Sequence, residues 1–105
     1  MEIERLHKML TDAGIEHEFV SRGTTYVSDV NWGYQIIVYK KNGKRLVSAI
    51  EGYGTYGYGL NGEQGDLIEI MGLLTPEEEK DNSVAGWLTA EDVFERIKRG
   101  IAEDV

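Results

Sequence analysis

The chain reads as a two-layer α+β domain in which helices cover one face of a three- to four-stranded antiparallel sheet. Three observations carry that expectation. Residues 34–40 and 45–51 flank Lys41-Asn42-Gly43-Lys44 and form a hairpin signal; each end of the chain carries an amphipathic helical pattern; and strands do not alternate with helices as a doubly wound sheet requires. A chain of 105 residues has room for one core, so the domain runs over 1–105.

The first helix is expected over 2–13, because Ile3, Leu6, Met9 and Leu10 recur at spacings of three and four and Gly14 follows as a stop. Ile15, His17 and Phe19 then alternate with Glu16 and Glu18, the pattern of a half-buried strand. Thr24-Thr25-Tyr26-Val27 adds a short strand candidate after the turn at Ser21-Arg22-Gly23. In the hairpin, Asn42-Gly43 suits a tight turn with two positive dihedrals. Ile36 and Val38 point to one face of the sheet and Ile37 and Tyr39 to the other, as in a central strand covered, at least partly, on both sides.

Gly52 to Gly65 holds six glycines and three tyrosines in fourteen positions, with neither helical nor strand periodicity, and reads as a loop. The dense apolar run Leu67, Ile68, Ile70, Met71, Leu73, Leu74 predicts a packed helix over about 66–74, capped by Asp66. Thr75-Pro76-Glu77-Glu78 is a start signal that Asp81-Asn82-Ser83 cuts short after about one turn. Thr89-Ala90-Glu91-Asp92 repeats it, with Leu88 and Val93 as a staple, and Val93, Phe94, Ile97 and Ile101 on one face of a helix over 90–100.

Three strings now resemble known sequences: Gly33-Tyr34-Gln35-Ile36-Ile37, Glu69-Ile70-Met71-Gly72-Leu73-Leu74-Thr75 and Gly86-Trp87-Leu88-Thr89-Ala90-Glu91-Asp92-Val93-Phe94. The likeness is to small proteins of unassigned function encoded by phages and prophages of Gram-positive bacteria, and it runs over about 33–99. Its matching residues are core and cap positions, so the resemblance implies a fold and a genomic setting and transfers no catalytic residue.

Charge narrows the function classes. The chain is net −8, and all of that excess lies after residue 52, where twelve acids face Lys80, Arg96, Lys98 and Arg99. Such a field repels nucleic-acid phosphates and anionic lipid and attracts basic surfaces, so direct duplex binding and membrane binding are not expected. No apolar run is long enough to span a bilayer, and Met1-Glu2-Ile3-Glu4-Arg5 lacks the order of a signal peptide, which points to the host cell cytosol.

The motifs for chemistry are few. Zero cysteines exclude disulfides, thiolate metal sites and a cysteine nucleophile. Gly52-Tyr53-Gly54-Thr55-Tyr56-Gly57 matches GxGxxG, but it follows a hairpin strand, opens no helix, and sits beside Glu63 and Asp66, which repel a pyrophosphate. His7 and His17 lie on different elements with no ligand spacing, and Glu77, Glu78, Glu79 and Asp81 lack the spacing of a calcium loop, so no metal or cofactor is expected. Ser48 sits inside a strand without a nucleophile elbow. No catalytic residue is assigned, and an enzyme is not expected.

Recognition is the remaining reading. Tyrosine supplies broad amphipathic contact area at low entropic cost, and glycine lets a backbone approach or bend around a partner. Tyr53, Tyr56, Tyr58 and Glu63 are therefore the expected contacts for a macromolecular partner with a basic or mixed surface. Lys40, Lys41, Lys44 and Arg45 read as a solvated hairpin tip. Two alternatives stand beside this: an acidic mimic of nucleic acid that inhibits a host nucleic-acid-handling or defence enzyme, and a small nucleotide-binding or nucleotide-processing protein whose loop tyrosines stack a base.

Overall fold

Helix α1, Glu2–Asp12, is amphipathic, with Ile3, Leu6 and Leu10 buried on one side. It ends in a two-bond C-terminal cap, in which Ile15 N–H reaches Leu10 O at 2.9 Å and Gly14 N–H reaches Thr11 O at 3.1 Å. The computed structural model describes residues 2–21, 33–52, 67–81 and 84–104. Over these residues the chain continues through β1 (Glu18–Ser21), β2 (Gly33–Tyr39), β3 (Arg45–Gly52), β4 (Ile68–Met71), α2 (Pro76–Asp81), β5 (Ala85–Leu88) and α3 (Ala90–Glu103). The five strands form one sheet in the order β1-β2-β3-β4-β5, each antiparallel to the next.

The α+β class and the hairpin agree with the sequence reading. Four details differ. The sheet has five strands rather than three or four, and the run expected as a helix over 66–74 supplies β4 at Ile68–Met71. Its residues alternate: Ile68 and Ile70 are fully buried while Met71 is exposed, a period of two that the flanking Leu67, Leu73 and Leu74 hide in the bare sequence. The second unforeseen strand is β5, whose composition, Ala-Gly-Trp-Leu, has little strand character. In the hairpin, only Gly43 has a positive φ, 86°; Gly43 N–H bonds Lys40 O at 3.0 Å and Lys40 N–H bonds Lys44 O at 2.7 Å, a three-residue loop in place of the two-residue turn expected at Asn42-Gly43. Finally, β1 starts at Glu18, so Ile15 to His17 precede the strand. The candidate strand at 24–27 lies outside the described residues.

Strand β2 behaves as an interior strand. Ile36 and Val38 face the helices and Ile37 the far side, and all three are buried. A bulge opposite Val38/Tyr39 lets Leu46 and Val47 both turn inward. The core lies between the sheet and helices α1 and α3, with Ile36, Val47, Ala49, Ile68 and Ile70 from below meeting Leu6, Leu10, Val93 and Ile97 from above.

The two long helices run side by side in the same direction. At their N-termini, Glu2 Oε1 accepts from Ala90 N–H at 3.2 Å, and Arg5 joins Glu2 at 2.6 Å and also pairs with Glu91. At the other end, Gly14 and Ile15 share a cleft wall with Ile101 and Asp104. Parallel helix dipoles repel, and carboxylates at the positive ends offset the repulsion. Glu51 is the deepest of these: it is 0% exposed, and its Oε1 accepts the Ile3 amide at 2.7 Å.

Candidate functional site

The strand register decides where the sequence-predicted contacts attach. Ser21 pairs with Tyr34, and Tyr34 with Glu51, while Gly33 pairs with Gly52. Because β4 runs antiparallel to β3, Ile68 begins at that same end. The four strand ends that bracket segments 22–32 and 53–66 therefore lie together at one end of the sheet, the end at which α1 and α3 also begin. Tyr53, Tyr56, Tyr58 and Glu63 themselves lie outside the described residues. What is described is their frame: buried Glu51 with Ile3 above it, Tyr34 across the strand, and the Glu2–Ala90 contact between the helices. The Thr89–Asp92 capping box lies at the α3 terminus, with Asp92 N–H donating to Thr89 Oγ1 at 3.2 Å.

The opposite end of the molecule holds an open cleft of about 650 Å³ between the α1–β1 connection, the end of β2 and the C-terminus of α3. Ile15, Val38 and Ile101 give it an apolar floor, and His17, Tyr39 and Asp104 are among its polar walls. Asp104 Oδ2 accepts the Lys41 amide at 2.8 Å and so ties the hairpin tip to α3. Lys40, Lys41, Lys44 and Arg45 are all exposed, as expected of a solvated hairpin tip.

Sequence reasoning kept His7 and His17 apart, and the fold joins them. His7 Nδ1 stands 2.7 Å from His17 Nε2, and His17 Nδ1 lies 2.8 Å from Ile15 O. The His7 ring stacks on Phe19 with centroids 4.1 Å apart, and Phe19 stacks on Tyr34 at 4.9 Å. The signal available in the sequence was slight: the C-terminal cap at Gly14 turns the chain back, so that His17 returns beside the α1 turn that carries His7. Among the described residues, no group of three or more His, Asp or Glu is arranged to hold a metal ion.

Two exposed apolar side chains were also missed. Met71 is 57% exposed on the sheet face away from the helices, where it lines a groove with Arg45, Ile50 and Val84. Trp87 is 59% exposed on β5 and has φ of 62°, a conformation costly for a side chain of its size. It sits where the β4–β5 register is irregular, Ile68 facing Leu88 and Ile70 facing Ala85.

A third cluster is structural. Glu78 takes both Arg96 nitrogens at 2.7 and 3.1 Å, and Arg96 also donates to Leu73 O at 3.0 Å. The hydrogen bond from Arg96, then that from the Thr75 amide, holds the Glu78 carboxyl at about 2, well below its usual range. No helix among the described residues is long and apolar enough to cross a membrane. Comparison of the chain with known protein families, with curated proteins and with solved structures finds no match.

Proposed function

We propose that this chain is a non-enzymatic interaction protein of phage or mobile-element type, acting in the host cytosol. It takes a macromolecular partner with a basic or mixed surface through segment 52–65, and Tyr53, Tyr56, Tyr58 and Glu63 make the contacts. One observation carries the reading: the register gathers the strand ends around both long connecting segments at a single end of a rigid sheet. Variable segments on a fixed scaffold are where binding residues concentrate. The buried Glu51 contact with α1 and the Glu2 contact with α3 stiffen that end, which lowers the ordering cost of binding there. The acidic second half supplies attraction for a basic partner.

The test is a triple Tyr53→Ala, Tyr56→Ala, Tyr58→Ala variant with unchanged circular dichroism. It should lose the partners that the parent chain recovers from a lysate of the host. Recovery of the same partners at the same yield refutes the assignment of this surface. The acid excess also favours a second reading, a mimic of nucleic acid that blocks a nucleic-acid-handling or defence enzyme. Salt separates the two: mimicry weakens steeply as ionic strength rises, whereas binding anchored by tyrosines survives about 0.5 M salt, where the screening length is only a few ångströms.

A further inference from the structure

We infer that His7 and His17 form a two-imidazole site for a late first-row divalent transition metal, with copper(II) held more tightly than nickel(II) or zinc(II). The argument begins with the proton positions. A carbonyl oxygen only accepts, so the 2.8 Å contact with Ile15 O puts a hydrogen on His17 Nδ1 and leaves a lone pair on its Nε2. That lone pair faces His7 Nδ1 at 2.7 Å. In the neutral pair His7 Nδ1 is therefore the donor. A ring N–H bound to a backbone carbonyl, with the other nitrogen free to ligate, is the arrangement by which proteins fix the tautomer and direction of a metal-binding histidine.

Each ring has a defined place in the free protein. His7 lies nearly parallel to Phe19, 8° between planes, and Phe19 lies on Tyr34 in turn. The His17 ring is fixed by Ile15 and meets His7 edge to face at 69°. A metal at about 2.0–2.1 Å from each nitrogen sits to one side of the line joining them, so the nitrogens move to roughly 3 Å apart, the hydrogen bond between them is given up, and each ring turns to bring its lone pair onto the ion. As the metal takes His7 Nδ1, the hydrogen there passes through solvent to His7 Nε2. The imidazole stays neutral and no net proton is released.

The surroundings define which ion fits. His17 lines the open cleft, so an ion has access from solvent. Glu16, Glu18 and Asp104 line the same cleft, but among the described residues no group of three or more His, Asp or Glu is placed to hold an ion, so water fills the remaining positions. Two imidazoles without a carboxylate cage select copper, nickel and zinc by the ordinary order of affinities and give magnesium and calcium nothing to hold. A net charge of −8 raises the local concentration of cations.

The full chain is titrated with copper(II), nickel(II), zinc(II) and magnesium(II) by calorimetry, and the imidazole nitrogens are followed by NMR with zinc(II), which is diamagnetic. One equivalent should bind, copper tightest and magnesium not at all. In the parent chain, zinc should move the His7 hydrogen from Nδ1 to Nε2 while His17 keeps its Nδ1 hydrogen. His7→Gln and His17→Gln should each weaken copper binding at least about tenfold. An unchanged His7 tautomer at millimolar zinc overturns the inference, as does copper affinity within twofold of the parent in both variants. The tautomer measurement needs no substitution, so it decides the matter even where a variant fails to fold.

Discussion

Trp87 holds a left-handed backbone conformation and leaves most of its indole in solvent. The first costs about 1–2 kcal/mol in a residue other than glycine, and the second returns little through burial. Trp87→Gly should therefore leave urea stability unchanged or raise it by up to about 1 kcal/mol, because relief of strain offsets the added freedom of the unfolded chain. Gly72 is the reverse case. A Cβ there would stand 2.5 Å from Leu46 O, at a φ of 97°, so Gly72→Ala should cost about 2 kcal/mol or more in the same assay. The Glu78–Arg96 pair carries a pH signature. Its carboxyl sits at about 2 when folded and near 4.5 when free, so the pair's contribution is complete above about pH 5 and fades as the pH falls toward 2. Glu78→Gln should be less stable than the parent by about 1.5 kcal/mol at neutral pH, with that gap closing on acidification; a gap constant down to pH 2 would show that the ion pair is not its source.

At the scale of elements, the two capping boxes were legible because each is a local pattern of four residues, and both are formed: Thr75 with Glu78, and Thr89 with Asp92. Only α3 carries buried core side chains among its capped turns, so Thr89→Ala should lower global stability by about 1 kcal/mol in denaturant unfolding. Strand β4 was illegible for a physical reason. Four residues of alternating burial sit inside a longer apolar run, and periodicity cannot part a short strand from a packed helix when Leu67 precedes the strand and Leu73 and Leu74 follow close behind it. What decides the matter is not local: β3 has an edge that must be paired, and Ser48 to Ile50 take Met71 to Glu69 as partners. The His7–His17 contact was hidden likewise, since it depends on the direction in which the Gly14 cap returns the chain.

At the scale of the whole molecule, the meander order of strands and the helix at each end of the sequence place both long helices on one face of the sheet, which composition and patterning foretold. The placement of the connections was not foretold, because it follows from register. A net charge of −8 on so small a domain adds self-repulsion, and the melting temperature should rise when sodium chloride is raised from a few millimolar to the physiological range, as screening sets in. A flat or falling response would mean that specific ion pairs such as Arg5 with Glu2 and Glu91 outweigh the general field.

The paired glycines Gly33 and Gly52 mark a border with an evolutionary meaning. On one side stands a frame whose residues answer to one another and which holds four strand ends at fixed points. A flexible connection of twice the length costs only about 0.6 kcal/mol more to close, so a frame with its strand ends gathered at one border accepts added residues there at small cost. A lineage built on this plan could lengthen or shorten the chain joined at that border without having to learn to fold again.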